Sequence, residues 1–209
     1  MKFLSYTISW LQAILFGLAV FIVITVVFTI TNRINNMKND TEIKAGVVMF
    51  GDSITHLNDW TNVFPNQVVI NSGHSGYTTR NLLRIANKKV VKYQPECCYV
   101  MMGINDLIQG KSMNKVTKNY KLLIEKLREN DIKVVVQSTL YTQYHQEINN
   151  SVDILNQFLK DYCDQIGIKF LDVNDKLCND GFLPGKYSTD GLHLNHEAYL
   201  VWSEILKNN

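Results

Sequence analysis

Charge of one sign is never concentrated in this chain. Its 21 Lys and Arg stand against 19 Asp and Glu, leaving a formal net charge of +2. No basic cluster stands out along the sequence, which excludes the electrostatic footprint of a nucleic-acid-binding protein. Cysteine is sparse. Cys97, Cys98, Cys163 and Cys178 never form a Cys-x-x-Cys pair, so the thiol spacing of a zinc site is missing. His193, His196 and Glu197 lack the i, i+4 histidine spacing of a zincin. The reading therefore calls for no metal and no cofactor. Cys97 and Cys98 fall in an apolar run and read as small hydrophobes, while a Cys163–Cys178 disulfide stays open on sequence alone. Internal repeats and low-complexity stretches are absent.

One apolar run is long. Trp10 to Ile30 carries no charged residue and as a helix would reach about 30 Å, the thickness of a bilayer's hydrocarbon core. Tyr6 and Trp10 suit an interface, and no small-x-small cleavage site follows before Thr31-Asn32-Arg33. The expectation is a retained single-pass transmembrane anchor over residues 1–31, a polar linker over 32–44 and a globular domain over 45–209. Counting Lys and Arg alone would keep the domain in the cytoplasm, although the bias is small.

From Ala45 the chain alternates strands and helices. Val47–Phe50, Val68–Ile70, Cys97–Met102, Ile132–Val136 and Ile168–Leu171 read as short buried strands. Helical spacing recurs from Thr78 or Thr79 to Val91, through Val116–Leu127 and Val152–Tyr162, and from His196 to Lys207. Near-continuous apolar strands alternating with helices imply a parallel sheet covered on both faces, in a three-layer α/β/α sandwich.

The breaks between these elements hold the chemistry. Gly51-Asp52-Ser53 closes the first strand, Gly73 follows the second, Gly103-Ile104-Asn105-Asp106 follows the third, and Asp190-Gly191-Leu192-His193 precedes the last helix. Carboxyl ends of strands in such a sheet converge on one crevice. Ester cleavage needs a hydroxyl with a base to take its proton, and Ser53 with His193 supplies both. Asp190 would hold the ring's other N–H, fixing its tautomer. The N–H groups of Ser53 and Gly73 and the side-chain amide of Asn105 are donors for the oxyanion. Taken singly, each has a plainer use: Ser53, Asp190 and His193 as helix caps, Gly73 and Asn105-Asp106 as turn formers. Taken jointly, at strand ends and in this order, the catalytic use explains more. His74, Tyr141 and Tyr144 lie in loops expected to flank the crevice and are candidates to bind substrate.

These four blocks, and above all Asp190-Gly-Leu-His-Leu-Asn195 with Tyr199 and Trp202, resemble those of the SGNH hydrolases, also called GDSL esterases and lipases. The resemblance spans about residues 45–207. It implies Ser53 as nucleophile, His193 as base, Asp190 as its partner, and Ser53, Gly73 and Asn105 as the oxyanion hole. It also implies a flavodoxin-like five-stranded parallel sheet without the Gly-x-Ser-x-Gly elbow of other α/β hydrolases, and this chain has none around Ser53. Ala198 departs from the glycine many relatives carry there. Anchored relatives commonly present the domain outside the cytoplasm, against the charge count. The substrate is a small ester, an acylated glycan or a lysolipid. An O-acyltransferase with the same triad and a non-catalytic glycan- or ester-binding module are the competing functions. Oligomeric state is not legible in the sequence.

Overall fold

A computed structural model describes residues 18, 20–31 and 45–209. The chain divides into two compact units, residues 1–43 and 44–209. In the first, residues 20–31 are helical, a length of about 18 Å at 1.5 Å per residue. Among the described residues no helix is long and apolar enough to cross a membrane. This corrects the expected single-pass membrane localisation. Residues 1–17 and 19 of the expected anchor, and the linker residues 32–44, lie outside the described residues.

The second unit is built on one parallel sheet of five strands: β1 (Val47–Gly51), β2 (Val69–Gly73), β3 (Cys97–Met101), β4 (Lys133–Gln137) and β5 (Lys169–Leu171), in the order β2-β1-β3-β4-β5. Its helices are α1 (Ser53–His56), α2 (Thr79–Lys89), α3 (Ile104–Ile108), α4 (Met113–Arg128), α5 (Gln146–Gln165), α6 (Asn174–Leu177) and α7 (His196–Lys207). Alternate residues of each strand serve opposite faces, as the strand period of two requires. Val48, Phe50, Cys98, Val100, Val134 and Val136 pack with Leu82 and Ala86 of α2, Leu123 and Ile124 of α4 and Leu155 and Leu159 of α5. Val47, Met49, Met101 and Val135 pack with Ile54 of α1, Leu177 of α6 and Tyr199 and Trp202 of α7. The three-layer α/β/α expectation holds.

β1 has β2 on one side and β3 on the other, so the connections leaving β1 and β2 run in opposite directions along the sheet. This is a topological switch point, where the loops at the carboxyl ends part and leave a crevice. One sequence expectation shifts here, and one open question closes. The second strand runs on through Asn71, Ser72 and Gly73, residues that read as a turn, because they pair in register with Met49, Phe50 and Gly51. All four thiols are free, with Cys163 and Cys178 packed in different cores on opposite faces of the sheet.

Candidate active site

Asp52 follows β1 and caps α1. Its Oδ1 accepts the Ile54 N–H at 3.0 Å, as a helix N-cap does. That turn places Ser53 at the first helical position, 6% exposed, with its own N–H at the positive end of the turn. The Ser53 Oγ lies 3.0 Å from His193 Nε2, and His193 Nδ1 lies 2.6 Å from Asp190 Oδ2. A carboxylate only accepts, so Nδ1 carries the ring proton and Nε2 presents its lone pair to the serine hydroxyl.

The loop between Ser188 and Asn195 is held by its own side chains. Asp190 Oδ1 accepts the backbone N–H groups of Leu192 and His193 at 2.9 and 2.8 Å. Ser188 Oγ donates to the His193 carbonyl at 2.7 Å and accepts the Gly191 N–H at 3.0 Å. Partial burial works to raise the Asp190 pKa, but the hydrogen bonds from the His193 ring and the two N–H groups outweigh it and hold the carboxyl well below the usual range. The carboxylate is therefore ionised wherever the imidazole needs it.

One bond ties this loop's helix, α7, to the nucleophile's helix and a second ties it to the end of β4. Tyr199 Oη donates to the Ile54 carbonyl at 2.7 Å, and Trp202 Nε1 donates to Gln137 Oε1 at 2.7 Å. Trp60 stands edge-on to both rings, at 6.1 and 4.7 Å between centroids, and its Nε1 donates to the Thr55 carbonyl at 2.8 Å.

The expected oxyanion donors fare differently. Ser53 N–H donates to no group among the described residues. Asn105 is the second residue of α3 and gives one amide hydrogen to the Tyr77 carbonyl at 3.0 Å, which leaves its second hydrogen for a ligand. The Gly73 N–H, by contrast, is already spent on Asn71 Oδ1 at 2.9 Å. Glycine is required there for space, since a Cβ would come 2.3 Å from the His56 nitrogen. Three residues on, Gly76 has φ +75°, its N–H has no acceptor among the described residues, and it directly precedes Tyr77, whose carbonyl holds Asn105. Gly76 offers a free N–H that sequence reasoning did not single out. The signal was a second glycine in the same run, next to the helix cap.

The expected substrate-binding residues also separate. Tyr144 is 69% exposed, and its ring lies 2.9 Å from where a Cβ on Gly191 would stand, so it borders the Asp190–His193 loop. Tyr141 instead turns its hydroxyl onto Asp153 of α5. His74 directs Nδ1 to the Ser72 carbonyl at 3.0 Å and packs on Tyr77. Both rings are held by the protein itself.

Residues 49–201 match the sequence model of the GDSL-like lipase/acylhydrolase family. The chain belongs to that family. The family is one of lipases and acylhydrolases. The chain's fold is that of a GDSL-like lipase from Bacteroides thetaiotaomicron, with a TM-score of 0.72 at 20% identity over 84% of this chain and 95% of that one. It is also that of an acetylxylan esterase from Geobacillus stearothermophilus, studied as a catalytic mutant, with a TM-score of 0.67 at 16% identity over 80% and 95%. An N-acylneuraminate cytidylyltransferase of Streptococcus agalactiae serotype V is 38% identical over 101 residues, 48% of this chain. The match spans about a quarter (24%) of that relative's own length.

Proposed function

We propose that this acylhydrolase is a serine esterase that works through an acyl-enzyme and removes short acyl groups from carbohydrate. The observation that carries the reading is the unbroken relay from Asp190 through the His193 ring to Ser53, with spacings of 2.6 and 3.0 Å. His193 Nε2 takes the Ser53 proton as Oγ adds to the ester carbonyl carbon. The charge that moves to the carbonyl oxygen meets the N–H groups of Ser53 and Gly76 and the Asn105 amide, each such donor being worth about 3 kcal/mol of barrier. Asp190 stabilises the imidazolium without taking its proton. Collapse of the tetrahedral adduct breaks the bond to the alcohol, which leaves with the proton from Nε2. A water then gives a proton to Nε2 and adds to the acyl carbon; as the bond to Oγ breaks and the acid is released, Nε2 returns the proton to Oγ, restoring Ser53.

A carbohydrate ester is favoured over a lysolipid by two likenesses. One neighbour in fold is named as an acetylxylan esterase, and one relative in sequence is named for a sugar, N-acylneuraminate. Hydrolysis of p-nitrophenyl esters of increasing chain length tests the reading. The Ser53→Ala variant should keep its circular dichroism and lose at least about a thousandfold in kcat, and the wild-type rate should be greatest with acetate. Undiminished turnover by Ser53→Ala would overturn the nucleophile. A rate that climbs towards long chains would replace the sugar by a lipid, and acyl transfer to an added glycan that outruns hydrolysis would make the protein an acyltransferase.

A further inference from the structure

Beside the oxyanion side of the crevice lies a second cleft of about 500 Å³, where α2, α3 and the start of α4 meet. Arg80, Arg84, Lys111 and Lys115 all line it. Among the described residues none of the four has a carboxylate partner within 4.0 Å. The one acid in the lining, Asp106, is buried and already accepts the Thr79 N–H at 2.7 Å and the Thr79 hydroxyl at 2.9 Å.

Local stability does not explain these cations. Arg80 and Arg84 are i, i+4 on α2, and like charges at that spacing repel. Arg80 lies in the first turn of α2 and Lys115 in the first turn of α4, neither of which contains an acidic residue. Cations at the positive end of a helix are unfavourable. Four cations without a carboxylate partner within 4.0 Å, one of them (Arg80) set against both rules, face one concavity, as an anion-binding site requires.

The cleft shares a wall with the candidate active site. Asn105 reaches the Tyr77 carbonyl while its neighbour Asp106 reaches Thr79, so the segment that follows Gly76 and the start of α3 separate the oxyanion donors from the four cations. We propose that this cleft binds a carboxylate or phosphate carried by the acylated glycan, making the enzyme selective for acidic saccharide esters. The inference rests on the esterase reading above and narrows its substrate.

The test uses three O-acetylated methyl glycosides at low ionic strength: of glucuronic acid, of glucose 6-phosphate and of glucose. The wild-type chain is compared with an Arg80→Ala/Arg84→Ala variant, with p-nitrophenyl acetate as the charge-free control. One of the two acidic sugars should show a KM about tenfold below that of the neutral sugar, and which one names the anion. The double substitution should remove that advantage and leave kcat, the neutral sugar and p-nitrophenyl acetate unchanged. KM values within about threefold of one another, or a preference that survives the substitution, would overturn the proposal. If the wild-type chain fails on p-nitrophenyl acetate, the esterase reading falls. Titration calorimetry with methyl glucuronide and methyl glucoside 6-phosphate then decides the cleft separately: binding lost in the double variant supports it, and no binding, or binding kept in the variant, overturns it.

Discussion

Asp52 stands immediately before the candidate nucleophile and is 1% exposed. Burial raises its carboxyl pKa to about 7, although the Ile54 N–H and the nearby His193 charge pull the other way. A carboxyl whose folded pKa is raised binds its proton more tightly in the folded state. Stability is then greatest below the unfolded pKa and falls as pH climbs towards 7. With an ordinary value of 3.8, the loss over that window is at most about 4 kcal/mol. An asparagine keeps the cap on Ile54 and removes the titration. Urea denaturation between pH 4 and pH 8 should therefore show the wild type losing stability across this interval and Asp52→Asn losing much less. Parallel curves would mean that Asp52 does not carry the proton. Asp190 acts in the opposite sense: its depressed pKa gives stability that is present above the usual carboxylate range and is lost only as acid protonates it in the folded state. The two effects fall in separate pH windows.

At the scale of elements, α7 and α1 must keep a fixed spacing, because one follows the imidazole and the other begins with the serine. The buried bond from Tyr199 Oη to the Ile54 carbonyl is the direct strut between them. Removing it in Tyr199→Phe leaves a buried carbonyl without its partner, at a cost of about 1–2 kcal/mol and about 3–6 °C in Tm for a chain of this size. If the strut positions the relay, kcat for p-nitrophenyl acetate should drop about three- to tenfold with KM little changed. A lowered Tm with full kcat would reduce Tyr199 to a packing residue. The aromatic pair of the last block, Tyr199 and Trp202, thus has a physical reason to accompany Asp190 and His193: it docks their loop against the nucleophile's turn.

For the whole molecule, sequence and structure agree where the signal was local and chemical. Hydrophobic runs located all five strands, because parallel strands buried on both faces leave little polar alternation to confuse them. The relay residues were legible because serine, histidine and aspartate at strand ends and in a long loop have few joint uses. Pairing in the folded sheet was not legible. Asn71-Ser72-Gly73 has turn composition, yet its ladder to β1 makes it strand, and the free donor moves from Gly73 to Gly76. Short helices such as α1 and α3 span too few residues to show a period. Tyr141 could not be known to prefer Asp153, a partner twelve residues on across a loop. Nor do Arg80, Arg84, Lys111 and Lys115 form a charge run in sequence; only the packing of α2 against α4 gathers them.

That Ser53 is activated by His193 is the claim on which the enzymology stands, and covalent labelling measures it most directly. A fluorophosphonate incubated with the folded chain and mapped by peptide mass spectrometry should modify Ser53 alone, and labelling should slow by at least about a hundredfold in His193→Ala. Labelling of another residue, or ester turnover that continues while Ser53 stays unmodified, would contradict the account.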